Sequence, residues 1–186
     1  LMWIGETNWA YQRQFTVPEE FLAHKHITLR CQGLDTLATI TLNGTQIART
    51  ENMFCTYEFD IKPHLLEGEN SIHVDFQAAM PYVREKQAQR RLPAWTHDKL
   101  EGGNWLRKEP CNFGWDWGPM LVTCGIWRDI ELIASNGPQL TEVLVLQEHD
   151  SRDEVGLEIV VQTDQASDDN VSAKISITFE GQKLQE

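Results

Sequence analysis

The sequence has 186 residues, 41% of them hydrophobic and 24% charged, values near the average for soluble globular domains, which argues against disordered and fibrous classes. A formal net charge of -12 and a pI of about 4.9 disfavour nucleic-acid and anionic-membrane partners, which need clustered Lys and Arg, and leave a neutral ligand such as a sugar open. No apolar run approaches the roughly 18 to 20 residues of a membrane span, so no membrane partner is expected.

Taken in chain order, Tyr11 to Val17 alternates polar and apolar residues and stops at Pro18, the pattern of a half-buried strand, and His26 to Cys31 repeats it. Ala38 to Leu42 and Thr45 to Ala48 flank Asn43-Gly44, a strong hairpin signal that predicts a primed turn with positive φ at both positions. Tyr57 to Ile61 reads as a strand, Glu67 to Asn70 as a turn, and Ser71 to Phe76 as a strand again. Short strands spaced by turns predict an all-β sandwich. The alternation breaks between about Ala79 and Asn112: Pro81 opens a polar stretch, Tyr82 to Arg91, that predicts one surface helix, and a loop with Gly102-Gly103 follows. A connection this long in a compact domain is usually functional or disordered, and Trp95 and Trp105 favour the functional reading. Strand patterning returns at Met120 to Thr123 and at Trp127 to Ile133. Ser135-Asn136-Gly137-Pro138 punctuates the chain as a boundary would, giving one domain over residues 1–136 and an incomplete second one over 137–186. The second is expected to hold strands at Thr141 to Gln147, Gly156 to Thr163 and Val171 to Phe179, too few to close a sandwich.

The segment richest in chemistry is Asn112 to Pro119, in which Phe113, Trp115 and Trp117 surround Asp116. Indole faces pack on the C–H surface of a pyranose and a carboxylate accepts hydroxyl hydrogen bonds, so this composition suits a sugar clamp. The competing reading makes Trp115 and Trp117 core aromatics on a bulged strand, with Asp116 satisfying loop amides. Arg128 is placed to pair with a carboxylate such as Asp116 or Glu131, with a surface ion pair as the plainer outcome, and Arg107-Lys108 are further polar candidates. His24 and His26 have the spacing of ligands on one strand face but lack a third ligand, so solvated histidines and no metal are expected. Glu6, Glu101 and Glu109 are considered as a catalytic carboxylate pair, but nothing in their contexts marks a raised-pKa acid. No cofactor is expected. Cys31, Cys55, Cys111 and Cys124 contain no C-x-x-C pair and are expected to be buried free thiols. That favours a reducing compartment, the cytoplasm, over a secreted or lysosomal location. The opening Leu1-Met2-Trp3-Ile4 reads as the middle of a domain.

Trp3-Ile4-Gly5-Glu6-Thr7-Asn8-Trp9 with Tyr11-Gln12-Arg13, Leu42-Asn43-Gly44, Glu51-Asn52-Met53-Phe54, Tyr57 to Asp60 and Glu67 to Asn70 form an ordered set with Arg107-Lys108, Phe113 to Pro119 and Gly125 to Arg128. The set resembles the β-mannosidases of glycoside hydrolase family 2, closely over about residues 2–135 and by domain order alone thereafter. The resemblance implies a galactose-binding-like jelly roll, then part of an immunoglobulin-like sandwich, then a (β/α)8 barrel in the same polypeptide that carries the two catalytic glutamates of a retaining exo-β-mannosidase. It implies no catalytic residue in this chain, and a β-mannoside oligosaccharide and the barrel as partners. By the same resemblance Trp115 and Asp116 reach the barrel mouth and contact the sugar in the −1 subsite. The sequence starts without the segment that normally precedes Trp-Ile-Gly-Glu in the family. The domain of an exo-β-glucosaminidase, a free-standing carbohydrate-binding module, and a purely structural domain are the competing functions.

Overall fold

A computed structural model of the chain describes residues 1–93, 100–149, 151, 154–163, 174–179 and 182–185. Its strands and helices, in order, are β1 (Trp9–Val17), α1 (Glu19–Leu22), β2 (His26–Cys31), β3 (Leu34–Asp35), β4 (Ala38–Leu42), β5 (Thr45–Thr50), β6 (Tyr57–Asp60), β7 (Gly68–Phe76), α2 (Ala79–Gln89), β8 (Gly125–Ile126), β9 (Ile130–Ser135), β10 (Leu140–His149), β11 (Val155–Thr163), β12 (Ile177–Phe179) and β13 (Gln182–Gln185). Contacts divide the chain into two units, Leu1–Ser135 and Asn136–Glu186.

The first unit is an antiparallel sandwich of the all-β class. One sheet runs β1-β7-β4-β5, a second runs β6-β2-β9, and β3 pairs with β8 as a short ribbon. The period of two explains the core: every second residue of β2 (Ile27, Leu29, Cys31) and of β4 (Ala38, Ile40, Leu42) is buried. These meet Val74 and Phe76 of β7 in one apolar cluster that takes side chains from both sheets. Burying each large aliphatic or aromatic side chain there contributes about 1.5–3 kcal/mol. The hairpin turn forms as the Asn-Gly pair predicts, with φ of 50° at Asn43 and 81° at Gly44.

Several local expectations are corrected. The strand after Pro63 starts at Gly68 rather than Ser71, because the buried Asn70 moves the turn upstream. Its Oδ1 accepts from Leu66 N at 2.9 Å and Asn43 Nδ2 at 2.7 Å, while its Nδ2 donates to Leu66 O at 2.8 Å. The helix spans Ala79–Gln89 rather than Tyr82 to Arg91, since Pro81 lies in the first turn, where backbone N–H groups have no helical partner. It is not a pure surface helix: Ala79, Met80 and Val83 are buried with Leu106, Phe113 and Val122 in a second, smaller core. Met120 to Thr123 forms no strand, and β9 starts at Ile130 rather than Trp127. Those backbones are held by individual bonds instead of a ladder, such as Thr123 N to Asn112 Oδ1 at 3.2 Å and Trp127 N to Gly33 O at 3.2 Å.

In the second unit β10 and β11 pair as an antiparallel hairpin, and β12 pairs with β13. The third strand predicted there is shorter than Val171 to Phe179: residues 171–173 lie outside the described residues, and β12 begins at Ile177.

Candidate functional site

Between β7 and β8 the chain leaves the sandwich for a long excursion, and its own small core carries the Trp-rich turn. Phe113 is fully buried in that core, under a Gly103 whose added Cβ would approach the Phe113 ring at 2.9 Å. The next residue, Gly114, has φ of 134°, a conformation costly for any residue with a Cβ, and there the chain swings from buried to exposed. Trp115 and Gly118 then form an isolated antiparallel bridge with Asp116 and Trp117 between them. Gly118 does not have a positive φ, and a Cβ there would meet only Trp115 Cβ at 3.9 Å, so only the first of the two flanking glycines is demanded by the backbone.

The turn points outward. Trp117 is 87% exposed and Trp115 is 38% exposed, so neither is a core aromatic, and their rings meet edge to face with centroids 6.1 Å apart. Asp116 is exposed and, among the described residues, its carboxylate meets no hydrogen-bond or ion-pair partner. It therefore does not satisfy loop amides. An indole face beside a solvated carboxylate is what the sugar-clamp reading requires.

Beneath the turn lies a buried polar cluster. Lys108 is only 3% exposed, and its Nζ donates to Asp35 Oδ2 and, at 3.0 Å, to Thr123 Oγ1. Thr123 Oγ1 in turn lies 2.8 Å from Asp35 Oδ2 and 2.7 Å from Asn112 Oδ1, so its one proton serves one of these acceptors at a time. Thr36 Oγ1 donates to the other oxygen of Asp35. Burial pushes the Lys108 ammonium below its usual pKa, and the Asp35 carboxylate opposes that shift. Met53 adds a second tie: its N donates to Arg107 O at 3.0 Å, its O accepts from Trp127 Nε1 at 3.0 Å, and its sulfur accepts from Glu109 N at 3.1 Å.

The other candidates are dispersed. Arg128 does not pair with Asp116 or Glu131; its guanidinium lies over the Trp127 ring at 4.2 Å, and Glu131 accepts from Gln32 Nε2 at 2.9 Å. Glu6 forms a fork with Arg84, one arm at 2.8 Å, and Glu101 pairs with Arg91 at 2.7 Å. Each arginine's hydrogen bond holds its partner's carboxyl below the usual range, the opposite of what a proton donor at neutral pH needs. His24 Nδ1 lies 3.0 Å from Phe21 O, and no group of three metal-ligating side chains occurs among the described residues. Trp95 lies outside the described residues. The cysteines are free, but only Cys31 is buried; Cys111 is exposed, and Cys55 and Cys124 are half-buried. A cleft of about 730 Å³ opens elsewhere, between Tyr11, Trp127 and Arg128, but its floor is the sandwich core (Leu29, Leu42, Ile61) and the Trp115 turn has no part in it.

Sequence reasoning assigned no role of their own to Asp35, Asn112, Thr123 and Met53. The one available signal was an acid between Leu34 and Leu37 in strand-like sequence, where a buried carboxylate needs a cation. Its partners stand 73 and 88 residues away, which no local pattern reveals.

The profile of the family described as "Glycosyl hydrolase 2 galactose-binding domain-like" matches residues 1–128. A β-mannosidase of Rattus norvegicus is 31% identical to 99% of this chain, and a β-mannosidase B of Emericella nidulans is 32% identical to 98% of it. The chain spans 22% of the length of each. The crystal structure of a β-D-mannosidase from Dictyoglomus thermophilum superposes with a TM-score of 0.80 at 33% identity, covering 87% of this chain and 20% of that one. A β-glucuronidase from Ruminococcus gnavus, at 17% identity and a TM-score of 0.56, shares the fold alone; the match covers 86% of this chain and 25% of that one.

Proposed function

This chain belongs to glycoside hydrolase family 2, and on that premise we propose that it is the N-terminal sugar-binding part of a retaining exo-β-mannosidase that removes terminal non-reducing β-D-mannose. The observation that carries the reading is the 31% identity to a β-mannosidase over 99% of the chain. In this reading Trp115 and Asp116 contribute to the −1 subsite: the indole packs on the mannose C–H face and the carboxylate accepts from its hydroxyls. The outward exposure of both side chains supports that role. The two catalytic glutamates belong to a (β/α)8 barrel supplied by the same polypeptide outside these 186 residues, so the chain by itself is inactive. Residues 137–186 are the start of an immunoglobulin-like sandwich that follows the jelly roll of residues 1–136.

The test is to assay the parent polypeptide on aryl β-D-mannoside and aryl β-D-glucosaminide, beside the 186-residue chain. Mannoside hydrolysis by the parent and none by the chain is expected. Preference for the glucosaminide would turn the assignment to exo-β-glucosaminidase, no hydrolysis of either would favour a binding module, and turnover by the chain alone would place catalytic groups inside it.

A further inference from the structure

We infer that Lys108, through its buried pair with Asp35, is the positioning residue that sets where the Trp115–Asp116 turn stands. At the tip of the turn Trp117 is 87% exposed, and the bridge from Trp115 to Gly118 belongs to no sheet. Two stems carry the turn, one descending to Lys108 and one rising from Thr123. Both stems meet at a single point, because Lys108 Nζ bonds Thr123 Oγ1 at 3.0 Å and both bond the same oxygen of Asp35. Asn112 ties the stems again nearer the turn, accepting from Thr123 N at 3.2 Å. Asp35 is itself fixed, as part of the β3 ribbon paired with Gly125 of β8 and 3% exposed. The cluster thus converts the rigidity of the sandwich into a defined location for an exposed turn.

An aliphatic side chain would fill the Lys108 site without the solvation penalty of a buried ammonium, and pairs replaced by apolar residues often lose no stability. A directional, multiply bonded ammonium instead supplies register, which a turn that must meet a sugar needs and a scaffold loop does not. Productive geometry is lost with displacements of about 1 Å, so relaxed stems cost turnover even in a folded protein.

The inference rests on the sugar-contact reading of Asp116, and a double-mutant cycle in the parent enzyme separates the two. Lys108→Met is expected to lower kcat/KM on aryl β-mannoside by about tenfold or more, and by less than about twofold in an Asp116→Ala background. Lys108→Arg, which retains the charge but not the compact fit, should recover part of the loss. Thr123→Val removes only the hydroxyl that joins the stems, keeps the shape, and serves if Lys108→Met fails to fold; it should act in the same direction. In the 186-residue chain labelled with 5-fluorotryptophan, Thr123→Val or Lys108→Met should shift or broaden the Trp115 and Trp117 resonances and leave Trp9 in place. Unchanged Trp115 and Trp117 signals, or additive losses in the cycle, overturn the positioning role. An Asp116→Ala variant with undiminished kcat/KM overturns the sugar-contact reading instead, while the fluorine signals still report on Lys108.

Discussion

Gly33 and the Trp127 indole touch: a Cβ built on Gly33 would lie 2.4 Å from Trp127 Nε1, the atom that donates to Met53 O at 3.0 Å. The missing side chain of Gly33 lets the indole come close to the strand connection and reach Met53, whose N donates to Arg107 O. Gly33→Ala is therefore expected to push Trp127 off Met53 and destabilise the chain by about 1–3 kcal/mol, the range for overpacking a tight contact. A thermal melt measures this, and an unchanged Tm would show that the indole has another place to go.

Gly44 offers a contrasting case, in which space is plentiful and the backbone decides. Nothing lies within 4 Å of a Cβ placed there, yet its φ is 81°. Gly44→Val should cost about 1 kcal/mol or more from strain alone. Gly44→Asn, which tolerates the left-handed region, should recover much of it; equal melting temperatures for Val and Gly would contradict the primed turn.

Asp116→Ala in the parent enzyme tests the clamp. A charge-assisted hydrogen bond to a sugar hydroxyl is worth roughly 1.5–3 kcal/mol, so kcat/KM should fall about tenfold to a few hundredfold. Because the carboxylate has no protein partner among the described residues, Tm should barely move. A fall of several degrees with kcat/KM within about twofold of the parent would make Asp116 part of the scaffold.

The cysteines should react in order of exposure. Burial pushes the Cys31 thiol up to about 12 and the Cys124 thiol up to about 11, so both remain protonated at neutral pH. Cys111 is also raised, first by burial and then by Glu109, but it is exposed. Iodoacetamide at pH 8 followed by peptide mass mapping should label Cys111 first, and Cys31 only after unfolding. Early labelling of Cys31 would mean that β2 opens in the native state.

The Glu6–Arg84 fork predicts a small acid-dependent contribution to stability. The Glu6 carboxyl is held below the usual carboxylate range chiefly by the Arg84 hydrogen bond, so its contribution is present above the unfolded carboxyl's pKa and is lost as pH falls through the lowered folded value. Both side chains are well exposed, at 41% and 56%, so screening keeps the contribution within about 1 kcal/mol. Melts of the unaltered chain and of Glu6→Gln should differ slightly at pH 7 and converge near pH 2. A gap that widens in acid would reverse the sign of the argument.

What the amino-acid sequence determined by itself is what repeats or turns locally. Alternation with period two placed β1, β2, β4 and β5, and Asn43-Gly44 specified the hairpin, because side-chain direction in a strand and φ at a tight turn depend on near neighbours. The aromatic and acidic residues from Trp115 to Trp117 stood out for the same reason, by composition. Their exposure did not, since the same letters suit a core strand, and only the excursion's small core around Phe113 turns them outward. Met120 to Thr123 alternates like a strand and is none, because its bonds go to Asn112 and Asp35 rather than to a neighbouring strand. The tertiary structure alone decided that Lys108, nominated from sequence simply as a polar candidate, is buried against Asp35. An ion pair spanning 73 residues exists only once the excursion has packed against the β3–β8 ribbon, and the penalty of an unpaired buried charge then selects the partner.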